Sequence, residues 1–187
     1  MYFSNGADTK TYGADFTSDY RSDFGDGGSV DWDFSANYNH TEVTRVGLDA
    51  NGNPLLNAQT IAYLSSDSPQ SKIIVGGTYH LGGWLMSLHE IRYGKSVAQD
   101  TFYSGPNIYS IAVFYESVNK PKHVTNLETG YHWESGFQWV IGAVNLFNVY
   151  PKRLPPGEAY LGASIYDTST GLGIDGGYYY TRLTYKF

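Results

Sequence analysis

The stretch "VDWDFSANYN" (Val30–Asn39) alternates without a break. Val30, Trp32, Phe34, Ala36 and Tyr38 are apolar or aromatic, and Asp31, Asp33, Ser35, Asn37 and Asn39 are polar. Successive side chains of a strand point to opposite faces, so this run predicts a strand with one apolar and one wet face. The preceding "YGADFTSDYR" (Tyr12–Arg21) does the same, setting Ala14, Phe16, Ser18 and Tyr20 against Asp15, Thr17, Asp19 and Arg21. Between them "DFGDGGSV" (Asp23–Val30) carries the Gly and Asp of a tight turn, so the two runs predict a hairpin.

The unit recurs twice. Ile73, Val75, Gly77 and Tyr79 oppose Ile74, Gly76, Thr78 and His80; the chain turns at Gly82-Gly83 and returns with Trp84, Met86 and Leu88 on one face. Beyond His89 the alternation degrades, where a bulge is expected. Leu127, Thr129, Tyr131 and Trp133 oppose Asn126, Glu128, Gly130 and His132. After a turn at Glu134–Gly136, "FQWVIGAVNLFN" (Phe137–Asn148) climbs back, with Trp139, Ile141 and Ala143 assigned to the outer face. A seventh strand is the terminal "GGYYYTRLTYKF" (Gly176–Phe187), with Tyr179, Thr181, Leu183, Tyr185 and Phe187 on one face.

Connections alternate in length. The turns near Gly27, Gly82 and Ser135 are tight, and those at about 49–70, 96–122 and 149–175 are long and polar. Short turns on one edge and long loops on the other are the pattern of an up-and-down outer-membrane barrel. Aromatics on the apolar faces cluster near the short turns (Tyr20, Trp32, Tyr79, Trp84, Trp133, Trp139, Tyr185), as an interfacial girdle would. The fold expected is therefore all-β: an antiparallel up-and-down transmembrane β-barrel, of which about seven strands are legible; the family resemblance given below implies that they are the carboxy-terminal strands of a larger barrel.

Composition agrees. Of 187 residues, 17% are aromatic and 16% charged, with 18 Tyr, 22 Gly and no Cys. Such usage favours β structure and removes disulfides and thiolate metal sites. The net charge of -6 argues against nucleic acid as a partner, since phosphate-tracking surfaces need clustered Lys and Arg. The mean hydropathy of -0.36 suits a soluble domain or a barrel with a polar interior. No stretch has the roughly 18 apolar residues of a membrane helix.

The segments resemble, in order, the carboxy-terminal barrel of TonB-dependent outer-membrane receptors. The matching runs are "DTKTYGADFTSDYR" (Asp8–Arg21), "ANYNHTEVTRV" (Ala36–Val46), "HLGGWLMSLHEIRYG" (His80–Gly94), "HVTNLETGYHW" (His123–Trp133) and "VNLFNVYP" (Val144–Pro151), with an aromatic terminal strand after them. The resemblance implies a bacterial outer-membrane location and import of a scarce nutrient: a ferric siderophore, haem, cobalamin or a glycan. It implies no enzymatic chemistry and no cofactor. It also implies that a plug domain, a TonB-engaging segment, a signal peptide and further strands belong to the intact protein, with Met1 the boundary of a fragment. Partners would be that plug, those strands, TonB, outer-membrane lipid, a small-molecule ligand and the barrel-assembly machinery. That machinery would read Tyr185 and Phe187, although Arg182 stands where the assembly signal often has Gly.

Three groups of candidate residues follow. Asp19, Arg21, Asp31, Asp33, His80, His132 and Arg182 fall on wet faces near the short turns and would face the plug. Tyr103, Tyr109, Phe114, Tyr115, Tyr160 and Tyr166 lie in the long loops and suit stacking on a planar or glycosidic ligand, or simple loop packing. Tyr185 and Phe187 form the assembly signal.

Other patterns read as ordinary structure. "GLGIDG" (Gly171–Gly176) fits a dinucleotide fingerprint only if a helix follows, and a strand is expected instead. His89-Glu90 lacks the second His of a zinc protease, because Tyr93 stands there. "DANGNP" (Asp49–Pro54) resembles a calcium loop but also a plain Asn-Gly turn. Asp31 and Asp33 as a hydrolase pair fit less well than a wetted lining. Two rival readings stay open: a small stand-alone barrel (adhesin, passive pore or membrane enzyme) needing an eighth strand near Tyr109–Glu116, and a soluble carbohydrate-binding β-sandwich.

Overall fold

A computed structural model describes residues 5–162 and 164–187; Met1 lies outside them. Seven strands form one antiparallel sheet in the order β1 (Ala7–Asp23), β2 (Ser29–Val46), β3 (Ser71–Leu81), β4 (Trp84–Tyr93), β7 (Lys122–His132), β8 (Phe137–Val144), β9 (Tyr178–Tyr185). Every strand pairs with its sequence neighbour in this sheet, and among the described residues the sheet does not close: β1 and β9 each keep a free edge. A separate ribbon of β5 (Ser96–Asp100) and β6 (Tyr115–Asn119) stands in the loop between β4 and β7. One short helix, α1 (Ala58–Ser65), lies between β2 and β3, its first turn capped by Asn57 accepting from the Thr60 amide at 2.8 Å.

The register makes the two faces continuous. Tyr20, Trp32, Gly77 and Leu88 form one row across β1–β4, and Trp84, Tyr131, Trp139 and Leu183 another across β4–β9. Trp32, Trp84 and Trp139 therefore share one apolar face, and Trp133, just past β7, packs on Tyr131 of that face at 4.8 Å. That face is uncovered: Phe16, Trp84, Met86 and Leu183 are each at least half exposed. Ser35, Asn37, Thr78, Ser87 and Glu128 belong to the opposite, wet face.

Tight turns join the strands at one edge. Gly28 has φ 88°, and a Cβ there would strike the His80 carbonyl of β3, so only glycine lets the turn abut the next strand. Gly136 repeats this against the Lys186 carbonyl. Aromatics near these turns anchor their polar atoms. Trp32 Nε1 donates to Ser22 at 3.1 Å, Tyr79 Oη to the Gly27 carbonyl at 2.6 Å, and Trp139 Nε1 to Thr181 at 2.8 Å.

The structure corrects several expectations. No bulge interrupts β4: it pairs residue for residue from Trp84 to Tyr93. The alternation fails there because the apolar band ends. Outer-face Glu90 accepts from Thr125 Oγ1 at 2.6 Å and lies 3.3 Å from His123, while Ile91 and Tyr93 turn inward beneath the loops. The sole register shift of the β1–β2 pair sits at Asp8/Thr9.

Strand β8 stops at Val144, not Asn148, because Asn145 and Asn148 adopt positive φ of 55°. Asn145 clamps the Val149 backbone through both its amide atoms, at 2.7 and 2.8 Å. The eighth strand near Tyr109–Glu116 does not join the sheet; only its end enters β6, paired to β5. Nor, among the described residues, do two sheets pack face to face as a sandwich requires.

Candidate functional site

Two regions gather chemistry: the wet face of the sheet near the short turns, and the junction of the long loops. On the wet face five of the seven predicted residues come together. Asp31 on β2 takes Arg21 Nη1 from β1 at 3.1 Å and His80 Nε2 from β3 at 3.1 Å. Arg21 also donates to Ser29 at 2.9 Å. Asp19 lies opposite Asp33 in register.

Asp33 pairs with a residue that the sequence offered only as a failed zinc motif. His89 Nε2 on β4 lies 2.8 Å from Asp33 Oδ1 on β2, reaching across the whole of β3. The strand between permits it. Gly76 sits directly between the two in register, and a Cβ there would fall on the His89 ring. Ser87 and Thr78 extend the line: Ser87 Oγ lies 3.2 Å from His89 Nδ1, and Thr78 Oγ1 donates to Ser87 Oγ at 3.1 Å.

The same device recurs across β8. Tyr180 on β9 lies over Gly142 and donates to Glu128 on β7 at 2.5 Å, where a Cβ on Gly142 would meet the tyrosine ring. Arg182 joins this second group, with Nη2 at 3.5 Å from Glu128. His132 stays apart from both groups, opposite Gln138 beside the turn. Each bridge thus has a long polar side chain, a glycine and a carboxylate on three consecutive strands.

The loop aromatics divide. Tyr103, Tyr109 and Tyr160 form one cluster, with Tyr103 edge-on to the other two at 6.0 and 5.0 Å between ring centres. Tyr109 and Tyr160 are more than half exposed. Tyr166 instead stacks on Tyr150 at 4.8 Å, and Tyr115 lies under Lys152 Nζ. Phe114 is half-buried and belongs to neither ring group. At the terminus Tyr185 packs on Phe137 at 4.5 Å, while Phe187 is fully exposed beyond β9.

The remaining loop features separate cleanly. Asp49 spends its carboxylate on its own turn, accepting from the Asn51 and Asn53 amides at 2.8 Å each, and these backbone donors hold it below the usual carboxylate range. β9 follows Gly171–Gly176, so that segment lacks the helix a phosphate cradle needs.

Four acids missed in the sequence lie under the loops, though among the described residues no three of them stand close enough to enclose a metal ion. Asp67, Asp167 and Glu158 are each more than nine-tenths buried, and Asp100 is half-buried. Burial, then the charges of Asp167, Asp67 and Glu158, push the Asp100 carboxyl up to about 6. They lie up to a hundred residues apart in sequence and carry no common spacing, so no pattern announced them.

Among solved structures the chain is similar to a mutant of the ferric enterobactin receptor from Pseudomonas aeruginosa. The TM-score is 0.50 at 19% identity, over 91% of this chain and 22% of that one. The chain thus spans about a fifth of that receptor's length, and the likeness is one of fold: an antiparallel, barrel-like sheet. No protein-family model and no curated protein matches the sequence.

Proposed function

We propose that this chain forms part of the wall of a bacterial outer-membrane barrel of the TonB-dependent receptor class, which imports a scarce nutrient. One observation carries this reading: a seven-stranded up-and-down sheet leaves a broad apolar band across one face uncovered while the other face is lined with charges. A soluble monomer seldom exposes an apolar patch of more than a few hundred Å². From Val30 to Tyr38 the apolar band covers eight steps of about 3.4 Å, or about 21 Å of bilayer at a strand tilt of about 40°. Outer-membrane barrels carry a band about 25 Å tall.

Free edges on β1 and β9 would be intolerable in hydrocarbon, so further strands pair with them. The wet face then lines a lumen, in which the Asp31 and Asp33 groups dock a plug. Tyr103, Tyr109 and Tyr160 crown the loop end, where a ferric siderophore, haem, cobalamin or glycan would first be met. No bond-making step is assigned to the protein. A stand-alone barrel is the weaker reading, because the segment that would have closed it forms the β5–β6 ribbon instead.

The test is uptake by cells expressing the full gene from which the chain derives, under nutrient limitation, with a panel of labelled ferric siderophores, haem, cobalamin and oligosaccharides. Uptake of one class, abolished by a protonophore or by loss of the energy-coupling protein, supports the reading. Uptake that persists without inner-membrane energy refutes it.

A further inference from the structure

Three tyrosines of the long loops stand together without being buried. Tyr103 is half-buried and holds Tyr109 and Tyr160 edge-on, at 6.0 and 5.0 Å between ring centres, while those two rings stay more than half exposed. They come from two different loops, and backbone bonds fix both sides of the cluster. The Tyr109 amide donates to the Phe102 carbonyl at 3.0 Å, and the Tyr103 amide donates to the Gly157 carbonyl at 2.9 Å.

The backbone supplies a second, independent observation. Among the described residues four that are not glycine have positive φ. Two are Asn145 and Asn148, whose side chains bond nearby backbone amides. The other two are Tyr109, at 52°, and Leu161, at 44°. Asn visits the left-handed region readily, whereas bulky residues do so rarely, and those that do gather where a fold holds a group out for a ligand. Tyr109 is itself one of the exposed rings, and Leu161 directly follows the other.

The charge around the rings selects among ligands. The connections 47–70, 94–121 and 145–177 carry seven Asp or Glu against four Lys or Arg. Lys95 and Lys120 stand between the sheet and the β5–β6 ribbon, and Lys152 Nζ donates to Tyr115 Oη at 3.0 Å. Arg153 lines a separate hollow with Pro155, Pro156 and Ile165. Among the described residues no cation lies over the rings of Tyr103, Tyr109 or Tyr160. Burial first, and then the Asp100 charge, hold the Tyr103 phenol above its usual range, so it keeps its proton and can donate. This negative field repels an anionic ferric catecholate or haem and leaves an uncharged sugar unaffected. A pyranose offers its apolar C–H face to an aromatic ring and its hydroxyls to the polar groups around it.

We propose that Tyr103, Tyr109 and Tyr160 form a platform for an uncharged oligosaccharide, with Tyr109 and Tyr160 stacking on its sugar rings and Tyr103 setting the angle between them. The inference rests on the reading of the chain as a receptor wall, and it narrows the nutrient from four classes to one. The buried acids supply the field alone, and no bond to the ligand is assigned to them.

The experiment is isothermal titration of the full-length receptor in detergent with maltoheptaose, cellohexaose and xylohexaose. Oligogalacturonate, haem, a ferric catecholate and a neutral ferric hydroxamate are titrated beside them. Saturable binding of at least one neutral oligosaccharide, and of none of the anionic probes, is expected. Tyr160→Ala should weaken it about tenfold, while Tyr160→Phe, which keeps the ring, should bind nearly as well. Tyr109→Gly removes the other ring and suits the left-handed backbone, so limited proteolysis should find the loop as folded as before while affinity again falls about tenfold. Failure of every neutral oligosaccharide to bind overturns the inference; where a siderophore or haem binds instead, the receptor reading stands. Affinity unchanged in Tyr160→Ala and Tyr109→Gly overturns it as well. Binding in detergent needs no inner-membrane energy, so uptake that proved independent of that energy would refute the receptor reading without altering this result.

Discussion

Phe34→Arg tests the central physical claim, that lipid and not protein covers the apolar face. Phe34 is the middle residue of the Val30–Tyr38 band, flanked in register by Ser18 and Val75, and its ring meets Phe16 at 5.8 Å. A cation at the bilayer midplane costs about 2–4 kcal/mol. Loss of the ring pair adds about 0.5–1.5 kcal/mol. The sum is about 2.5–5.5 kcal/mol, more than a factor of 50 in the folding equilibrium. Ser35→Arg, one residue along, faces the wet side between Thr17 and Ile74 and should cost under about 1 kcal/mol.

The assay is urea unfolding of the intact barrel in lipid vesicles, followed by tryptophan emission and heat-modifiable mobility. Since Trp32, Trp84 and Trp139 lie on this face and Trp133 packs on its Tyr131, brominated lipid should quench the emission of the folded chain strongly. Equal costs at Phe34 and Ser35, or tryptophans shielded from brominated lipid, would refute the reasoning. The first would mean the faces are wrongly assigned; the second, that protein covers the sheet.

Three further outcomes are expected. Gly76→Val should displace His89 from Asp33 and cost about 1–2 kcal/mol for the lost bridge, although strand propensity alone favours Val; in a His89→Ala background the same change should become neutral or stabilising, which urea titration of the four proteins decides. Deleting Phe187, fully exposed beyond β9, should leave refolding in vitro nearly unchanged while cutting surface levels in cells, and normal surface levels would dismiss it as an assembly signal. Asp31→Asn with Asp33→Asn should raise passive conductance in planar bilayers if these carboxylates hold a plug, and unchanged conductance at equal expression would leave them as wetted lining.

How much was legible depended on whether a feature belongs to one strand or to several. Alternation is written within a strand, so Val30–Asn39 announced its faces, and the three short turns with their glycines announced the order of pairing. Strand ends were less legible: β8 stops at Val144 because Asn145 turns left-handed to cap its own loop, a choice made by side-chain hydrogen bonds and not by hydrophobic pattern. The bulge expected after His89 was a misreading of the same kind. Polarity changes face at Glu90 because the strand leaves the apolar band, and one strand read alone cannot distinguish the end of such a band from a slip in register.

The bridges lay further out of reach. His89 meets Asp33 only because Gly76 falls between them, and Tyr180 meets Glu128 only because Gly142 does, relations that exist only once three strands are aligned. Read singly, Gly76 and Gly142 look like weak points in their strands. Read across the sheet, they are the positions that let carboxylates of the wet face be satisfied from two strands away. Asp67, Asp100, Glu158 and Asp167 carry the point to its limit, since three loops must fold before the four have anything in common. Gly76 and Gly142 are therefore kept clear by what crosses them, and a side chain placed at either should fail through its neighbours' lost hydrogen bonds before any loss of strand propensity is felt.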